Sequence, residues 1–314
     1  MIKSQRISSK SGPWPAKPDS GRGVSRLRPA ELKRIVLRAL EEDLGKGDLT
    51  TRALFPKAVP GEGLILAHQE AIIAGLPVAE EVFRRVDSRL RFAPVVRDGE
   101  SVSPGTLVAR VIGDGRSILT GERVALNFLQ RLSGIATLTS AFVGAVRGTR
   151  TKILDTRKTT PGLRPLEKYA VRMGGGGNHR MSLGDGVLIK DNHLALIGTV
   201  SEAVHRAKCR LPRGILIEVE AAQLNQVDEA LSMGADAILL DNMSLPLIRK
   251  AIQRIGGRAR VEVSGGVHLG NVRGLAAAGA DVISIGALTH SAPAVDLSLD
   301  LLPTRISASQ KDRS

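Results

Sequence analysis

One cysteine, Cys209, stands in the whole chain, so no intrachain disulfide is possible and a reducing compartment such as the cytoplasm fits. Its place in the run His205–Arg210, which reads as the end of a helix, argues against a nucleophilic role. Aromatic residues are scarce: Trp14, Tyr169 and five phenylalanines. That excludes the stacking platforms on which single-stranded nucleic acids are bound. It also leaves Leu, Ile, Val and Ala to build the core. No apolar run reaches the ~18 residues of a membrane span, and the amino terminus lacks the apolar segment of a secretory signal.

Charge is plentiful, at +14 over 314 residues, and its distribution decides its meaning. Residues 1–29 carry seven Lys or Arg against one Asp, so +6 of the excess sits there, amid Ser, Pro and Gly. Such a segment reads as a disordered, solvated extension. A sequence pI of about 10.6 permits weak attraction to phosphate backbones. No base-reading motif accompanies it, so no specific nucleic-acid partner is expected.

From Pro29 onward the pattern is that of a folded chain. Glu31–Leu44 has helical spacing and is stopped by Gly45 and Gly47. Gly63–Ala67, Leu90–Val96 and Thr106–Ile112 read as short strands, with a helix over Pro77–Val86. A long helix is expected over Thr120–Leu132, with Arg123 in its first turn, where a cation opposes the helix dipole. A residue placed against local preference points to a site; a salt bridge to Glu122 or Asp114 is the plainer reading.

Beyond that helix, six apolar strands end in polar or glycine residues. They are Thr151–Leu154, Val187–Ile189, Ile215–Val219, Ala237–Leu240, Val261–Val263 and Val282–Ile285. The last four ends, at 220, 241, 264 and 286, lie 21, 23 and 22 residues apart, and stretches such as Leu224–Met233 and Leu245–Ile255 between them read as helices. This is the sequence form of a parallel α/β barrel or doubly wound sheet. In barrels, function gathers at the carboxyl ends of the strands.

The ends divide the chemistry among them. Glu220 and Asp241 are acidic, and Glu218 lies two residues before Glu220 on the same strand face. These suit Mg²⁺ shared with a substrate phosphate, or ion pairs with lysines and arginines. Ser264-Gly265-Gly266 and Gly286-Ala287 are glycine-rich and suit a phosphate. Arg157, Lys158, His179, Arg180 and Lys190 gather on the first two ends and the loop between them, and arginine forks match carboxylates and phosphates. That loop opens with Gly174–Gly177 and reads as flexible, able to order around a ligand. Taken alone, the residues describe a site for carboxylates and several phosphates with a divalent metal between them.

The motifs resemble those of the quinolinate phosphoribosyltransferases. They are Thr156-Arg157-Lys158-Thr159-Thr160-Pro161-Gly162, Gly174-Gly175-Gly176 with Asn178-His179-Arg180, and Leu188 through His193. Glu42-Asp43, Gly47-Asp48, Thr50-Thr51, Gly121-Glu122-Arg123, Asn127 through Gln130, Leu239 through Asn242 and Ser264-Gly265-Gly266 agree as well. The likeness runs in order from about 31 to 303. It implies an α/β fold in two parts. The first is an N-terminal α/β sandwich over 30–132, rejoined by 290–303. The second is an incomplete, seven-stranded TIM-like barrel over 133–289, and a flexible tail follows at 304–314.

The resemblance also implies the substrates, quinolinate and phosphoribosyl pyrophosphate, and the cofactor Mg²⁺. It implies a homodimer, or a larger assembly of dimers, in which Arg123 reaches the neighbouring site. Arg157, His179 and Arg180, with Lys158, would hold the quinolinate carboxylates. Lys158 and Lys190 would face phosphoribosyl pyrophosphate. Glu220 and Asp241 would take the ribose hydroxyls and the metal, directly or through substrate. Ser264, Gly265, Gly266, Gly286 and Ala287 would cradle the 5′-phosphate, with Thr156 and Ile285 also at the substrates. A paralogous protein associated with molybdate transport is the competing reading within this likeness. Loss of part of Lys190–His193 would mark it, and that segment is intact.

Overall fold

The computed structural model describes residues 27–212 and 214–303. Most of the basic extension and the tail expected at 304–314 therefore lie outside the described residues. By their contacts the residues form two compact units. One comprises Phe142–Arg157 and Gly177–Gly286; the other comprises the preceding chain to Ala141, Lys158–Gly176, and the chain from Ala287 on.

The second of these begins with helices α1 (Pro29–Leu44) and α2 (Leu49–Leu54). Pro29 opens α1, and Gly45 closes it. Then come β1 (Pro60–Ala67), β2 (Ala71–Ile72), α3 (Leu76–Val86), β3 (Arg91–Pro94), β4 (Ser101–Val102), β5 (Leu107–Asp114) and α4 (Gly115–Ala145). Four strands form an antiparallel sheet whose order includes β12 (Leu297–Pro303), namely β12-β1-β5-β3, while β2 and β4 make a separate pair. The carboxyl-terminal strand thus returns to pair with β1, Leu64 opposite Asp300. Alternate residues of β1, Gly63, Ile65 and Ala67, are buried, as expected of a strand with one face on the core.

Helix α4 starts five residues earlier than its apolar pattern predicts and ends thirteen later. The Asp114 carboxylate accepts the N–H groups of Arg116 and Val59 at 3.1 and 3.2 Å, and so caps the helix. Arg123 is consequently in the third turn and not the first, and the dipole argument for its placement fails. The helix end is set by a side-chain cap that apolar periodicity does not register.

The other unit is a six-stranded parallel sheet. Its strands are β6 (Lys152–Leu154), β7 (Val187–Ile189), β8 (Ile217–Ala221), β9 (Ala237–Asp241), β10 (Arg260–Ser264) and β11 (Val282–Ser284), in the order β6-β11-β10-β9-β8-β7. Helix α5 (Arg164–Met173) precedes β7 in the chain but belongs to the antiparallel unit, as does α11 (Ala287–His290). Helices α6 (Asp191–Ile197), α7 (Val200–Arg210), α8 (Leu224–Ser232), α9 (Leu245–Ile255) and α10 (Leu269–Ala277) connect the later strands. Gly177 adds a single parallel bridge to Leu154 beyond β6, a seventh strand reduced to one residue.

The sheet is strongly curled. In a flat sheet, next-but-one strands lie roughly 9–10 Å apart. Yet Glu218 of β8 and Glu262 of β10 both bring a carboxylate within 4 Å of His179, which follows the Gly177 bridge at the far edge. Only a barrel-like curvature brings the two sides together.

Candidate active site

The cations of the parallel unit sit on an irregular segment whose backbone has little ladder support. Asp155, fully buried just after β6, supplies the missing anchor. Its carboxylate accepts the His179 N–H at 2.9 Å and the Asn178 side-chain amide at 2.5 Å, and its own N–H donates to the Gly177 carbonyl at 3.2 Å. Arg180 is buried and donates to the carbonyl of Gly186 at 2.9 Å. Burial, and then the like charge of Arg157, both oppose the Arg180 cation. Two guanidinium groups held close in a poorly solvated place favour an anion between them.

The imidazole of His179 faces the carboxylates of Glu262 and Glu218 at 3.2 and 3.7 Å. All three side chains are buried. Burial pushes the Glu218 carboxyl well above its ordinary range, and the adjoining Glu262 adds to this. Burial acts on Glu262 in the same direction, but His179 and Ser284 hydrogen bonds outweigh it and draw that carboxyl down. Two carboxylates so close in a dry interior oppose each other's ionisation, and it is Glu218 whose proton is held more firmly. Among the described residues this is the group of three His, Cys, Asp or Glu side chains close enough to hold a metal ion, with donor atoms within 4.8 Å. Arg260 and Arg180 already supply positive charge around it.

Lys190 stands after β7, and its ammonium donates to Glu220 at the end of β8 at 3.0 Å. The ion-pair reading of Glu220 is therefore realised, and it leaves the lysine tip at the carboxyl edge of the sheet, 44% exposed. Asp241, at the end of β9, accepts the Asn242 side-chain amide at 2.7 Å. Asn242 has a left-handed backbone, φ 51°, and its N–H donates to the Ser264 carbonyl at 3.0 Å. This ties the end of β9 to that of β10.

The next residue of that end must be glycine. Gly265 has φ +85°, and a Cβ there would lie 2.2 Å from Asn242 Oδ1. Gly265 and Gly266 line a cavity of about 590 Å³ together with Asn242, Ser244, Gly270 and Asn271. Ser264 donates to the Ser284 carbonyl at 3.3 Å, joining this end to β11, which Ile285, Gly286 and Ala287 follow.

The loop of four glycines is not the flexible element expected. A Cβ on Gly174 would lie 2.3 Å from the Ala136 carbonyl of α4, and one on Gly177 would lie 2.5 Å from the Leu154 side chain. The N–H groups of Gly175, Gly176 and Gly177 donate to Arg172, Val171 and Ile153. These glycines permit close packing, a use that sequence alone does not distinguish from mobility.

Three of the expected site residues, Arg123, Lys158 and Ala287, belong by their contacts to the other unit. Lys158 has its carbonyl held by the Thr289 hydroxyl at 2.7 Å. Arg123 lies exposed on α4, with Glu122 at 3.8 Å. Thr156 follows Asp155, half-buried.

Asp155 and Glu262 were not among the residues the sequence singled out. A signal was there for the second: a lone carboxylate inside the apolar run Val261–Val263. Buried parallel strands read as continuous apolar runs, so a charge within one needs a partner.

A curled parallel sheet with cations, carboxylates and glycine loops at its strand ends suits an enzyme that acts on anionic substrates. The comparisons narrow this. Residues 135–300 match the quinolinate phosphoribosyl transferase C-terminal domain and residues 48–133 the N-terminal domain. The chain is 44% identical over 274 residues to the nicotinate-nucleotide pyrophosphorylase [carboxylating] of Mycobacterium leprae, covering 85% of this chain and 95% of that one. It is 41% identical over 266 residues to the probable nicotinate-nucleotide pyrophosphorylase [carboxylating] of Synechocystis, covering 84% and 90%. The crystal structure of NadC from Streptococcus pyogenes superposes with a TM-score of 0.85 at 42% identity, over 89% of this chain and 99% of that one. The chain belongs to the quinolinate phosphoribosyltransferase family.

Proposed function

We propose that this chain transfers the phosphoribosyl group of phosphoribosyl pyrophosphate to quinolinate, with decarboxylation, to give nicotinate mononucleotide, CO₂ and pyrophosphate for NAD biosynthesis. The observation that carries the reading is the buried Arg180, next to the buried His179 in the chain and close enough to Arg157 to feel its charge, a gathering of cations suited to a dicarboxylate. The family membership and the intact Lys190–His193 segment favour it over the paralogue associated with molybdate transport.

In this mechanism the bond from ribose C1 to pyrophosphate breaks, and the leaving group takes the electron pair. The quinolinate nitrogen then bonds to C1 and becomes cationic. The adjacent carboxyl leaves as CO₂, its electron pair stays on the ring carbon beside that charge, and a proton replaces it. No nucleophilic side chain is needed; orientation and electrostatics do the work. Arg157, His179 and Arg180, with Lys158, hold the two carboxylates. Lys158 and Lys190 balance the growing charge on pyrophosphate. Glu220 and Asp241 take the ribose hydroxyls. Ser264, Gly265, Gly266, Gly286 and Ala287 hold the 5′-phosphate, and Thr156 and Ile285 line the same space.

The carboxylates of Glu220 and Asp241 suit a hard divalent cation. Because Glu220 is also paired with Lys190, a cation carried partly by the substrate phosphates fits this donor set. Mg²⁺, when bound, neutralises pyrophosphate charge. In a homodimer, Arg123 reaches the partner's site, for which its exposure and its loose contact with Glu122 leave it available. The test is direct: protein, quinolinate and phosphoribosyl pyrophosphate with Mg²⁺ should yield the mononucleotide, and excess chelator should stop it. No product with Mg²⁺ present overturns the function; full turnover in chelator overturns the metal. Mixing Arg123→Ala with Lys190→Ala under exchange conditions should restore up to about half the activity of each mixed dimer, and background activity after confirmed exchange overturns the shared site.

A further inference from the structure

The two residues that hold His179 from beneath take no place in the reaction above, and they are the most constrained polar groups of the parallel unit. Asp155 grips the His179 backbone and the Asn178 amide. Glu262 stands 3.2 Å from the imidazole and comes from β10, a different strand. Both carboxylates are buried, at 0% and 3% exposure. A buried charge has high energy unless its partners are fixed, and here the partners belong to a segment without regular hydrogen-bonded structure. Nothing in local propensity places residues 178–180; these contacts do.

We propose that Asp155 and Glu262 are positioning residues for carboxylate recognition, Asp155 fixing where the His179–Arg180 segment runs and Glu262 fixing the direction of the imidazole. This rests on the reading that His179 and Arg180 bind the carboxylates of quinolinate. The alternative is that both residues only stabilise the fold. The geometry separates the two roles. The phosphate cradle at Gly265 and Gly266 is tied by the Asn242 N–H to the Ser264 carbonyl, a backbone contact in which neither the Asp155 nor the Glu262 carboxylate takes part. A positioning role therefore affects one substrate and spares the other. Small misplacements of a binding group cost on the order of 10- to 100-fold.

The experiment measures, by calorimetry on the full chain, the Kd for quinolinate and separately the Kd for phosphoribosyl pyrophosphate. Variants are Asp155→Asn, Glu262→Gln, His179→Ala and the two double variants. Each carboxamide keeps the shape but loses the charge and one acceptor. The expected result is a rise of roughly 10-fold or more in the quinolinate Kd for each single variant, with the phosphoribosyl pyrophosphate Kd within about 2-fold. In the His179→Ala background Glu262→Gln should weaken quinolinate binding by no more than about 2-fold further, because contacting groups that act through one another are not additive, while Asp155→Asn should keep part of its effect through Arg180. Asp155→Glu and Glu262→Asp, which retain the charge, should recover part of the loss.

Equal weakening of both substrates, or full multiplication of effects in the Glu262→Gln/His179→Ala double variant, overturns the proposal and leaves a structural role. Should Asp155→Asn fail to fold, the Glu262→Gln cycle decides by itself. A wild-type chain that neither binds nor converts quinolinate overturns the proposed function instead, so the two failures are told apart.

Discussion

The interiors of the two units differ in what their buried polar groups surround. The antiparallel unit is packed with apolar groups, Ile65, Ile73, Val78, Val82, Phe83, Val108, Val111 and Ile118 being buried at 1% or less, and it buries Glu81, Glu167 and Lys168 among them. The parallel unit has an aliphatic layer too, in Val219, Ile238, Leu240 and Ile283, but it also buries Asp155, His179, Arg180, Glu218 and Glu262. An ionisable group in a dry interior costs stability and returns it only through fixed partners. In the antiparallel unit Glu167 is held by Arg131 and Thr160 within the fold, whereas the buried groups of the parallel unit include His179 and Arg180, the residues proposed to meet substrate. Mutations in the two should accordingly separate melting behaviour from kinetics.

The sharpest break comes from Phe83. It is 1% exposed on α3, with its ring stacked on Phe92 at 6.0 Å between centroids. Phe83→Ala should cost about 3–5 kcal/mol of stability through lost burial and a cavity. Urea titration reads that loss, while kcat and both KM values of the folded fraction should stay near wild type. A selective change in quinolinate KM would show that this interior also shapes the site.

Arg180→Ala should do the reverse. Leaving a carboxylate without its buried cation costs on the order of 2–4 kcal/mol, seen as a drop of roughly 30- to 1000-fold in kcat/KM for quinolinate. Its thermal midpoint should hold or rise, since the variant removes a buried charge opposed by Arg157. By the same logic nicotinate, with one carboxylate fewer, should be a poor substrate of the wild-type chain. Equal efficiency for the two acids would sink the dicarboxylate reading.

How much of this was legible in the sequence depends on how local each cause is. The strand ends were, because buried parallel strands are short apolar runs stopped by polar or glycine residues. Leu245–Ile255 matches α9 residue for residue, its start marked by Ser244 and Pro246 and its end by the left-handed Gly256. The strand expected at Ile215 starts instead at Ile217. The start of α4 depends on the Asp114 cap and was misplaced. The stiffness of the glycine loop depends on α4 and Leu154, and the meeting of Glu218, Glu262 and His179 depends on curvature across several strands. Neither partner is near in sequence, so periodicity carries no trace of them.

The mildest expected effect tests whether a polar contact in the antiparallel unit behaves structurally, as that interior requires. The Tyr169 hydroxyl donates to Asp98 at 2.5 Å, and Asp98 also accepts the N–H groups of Gly75 and Leu76 at 2.9 and 3.1 Å at the start of α3. Burial pushes the Asp98 carboxyl above its ordinary value of 3.8, and these three donors pull part of that back. An acid whose folded value is raised holds its proton more firmly when folded. Its contribution to stability is therefore complete below 3.8 and is lost as pH rises through the folded value. Tyr169→Phe removes one donor from the ionised form, so the folded value climbs further and more is lost at neutral pH. The expected cost is about 1–3 kcal/mol at pH 7, shrinking toward pH 4 as Asp98 becomes protonated in both chains. Urea midpoints of wild type and variant at the two pH values measure this, and both KM values should remain unchanged at pH 7. A pH-independent difference would mean that the hydroxyl acts by packing and not through Asp98. A selective change in KM would place Tyr169, too, among the groups that aim substrate, and the contrast between the two interiors would lose its edge.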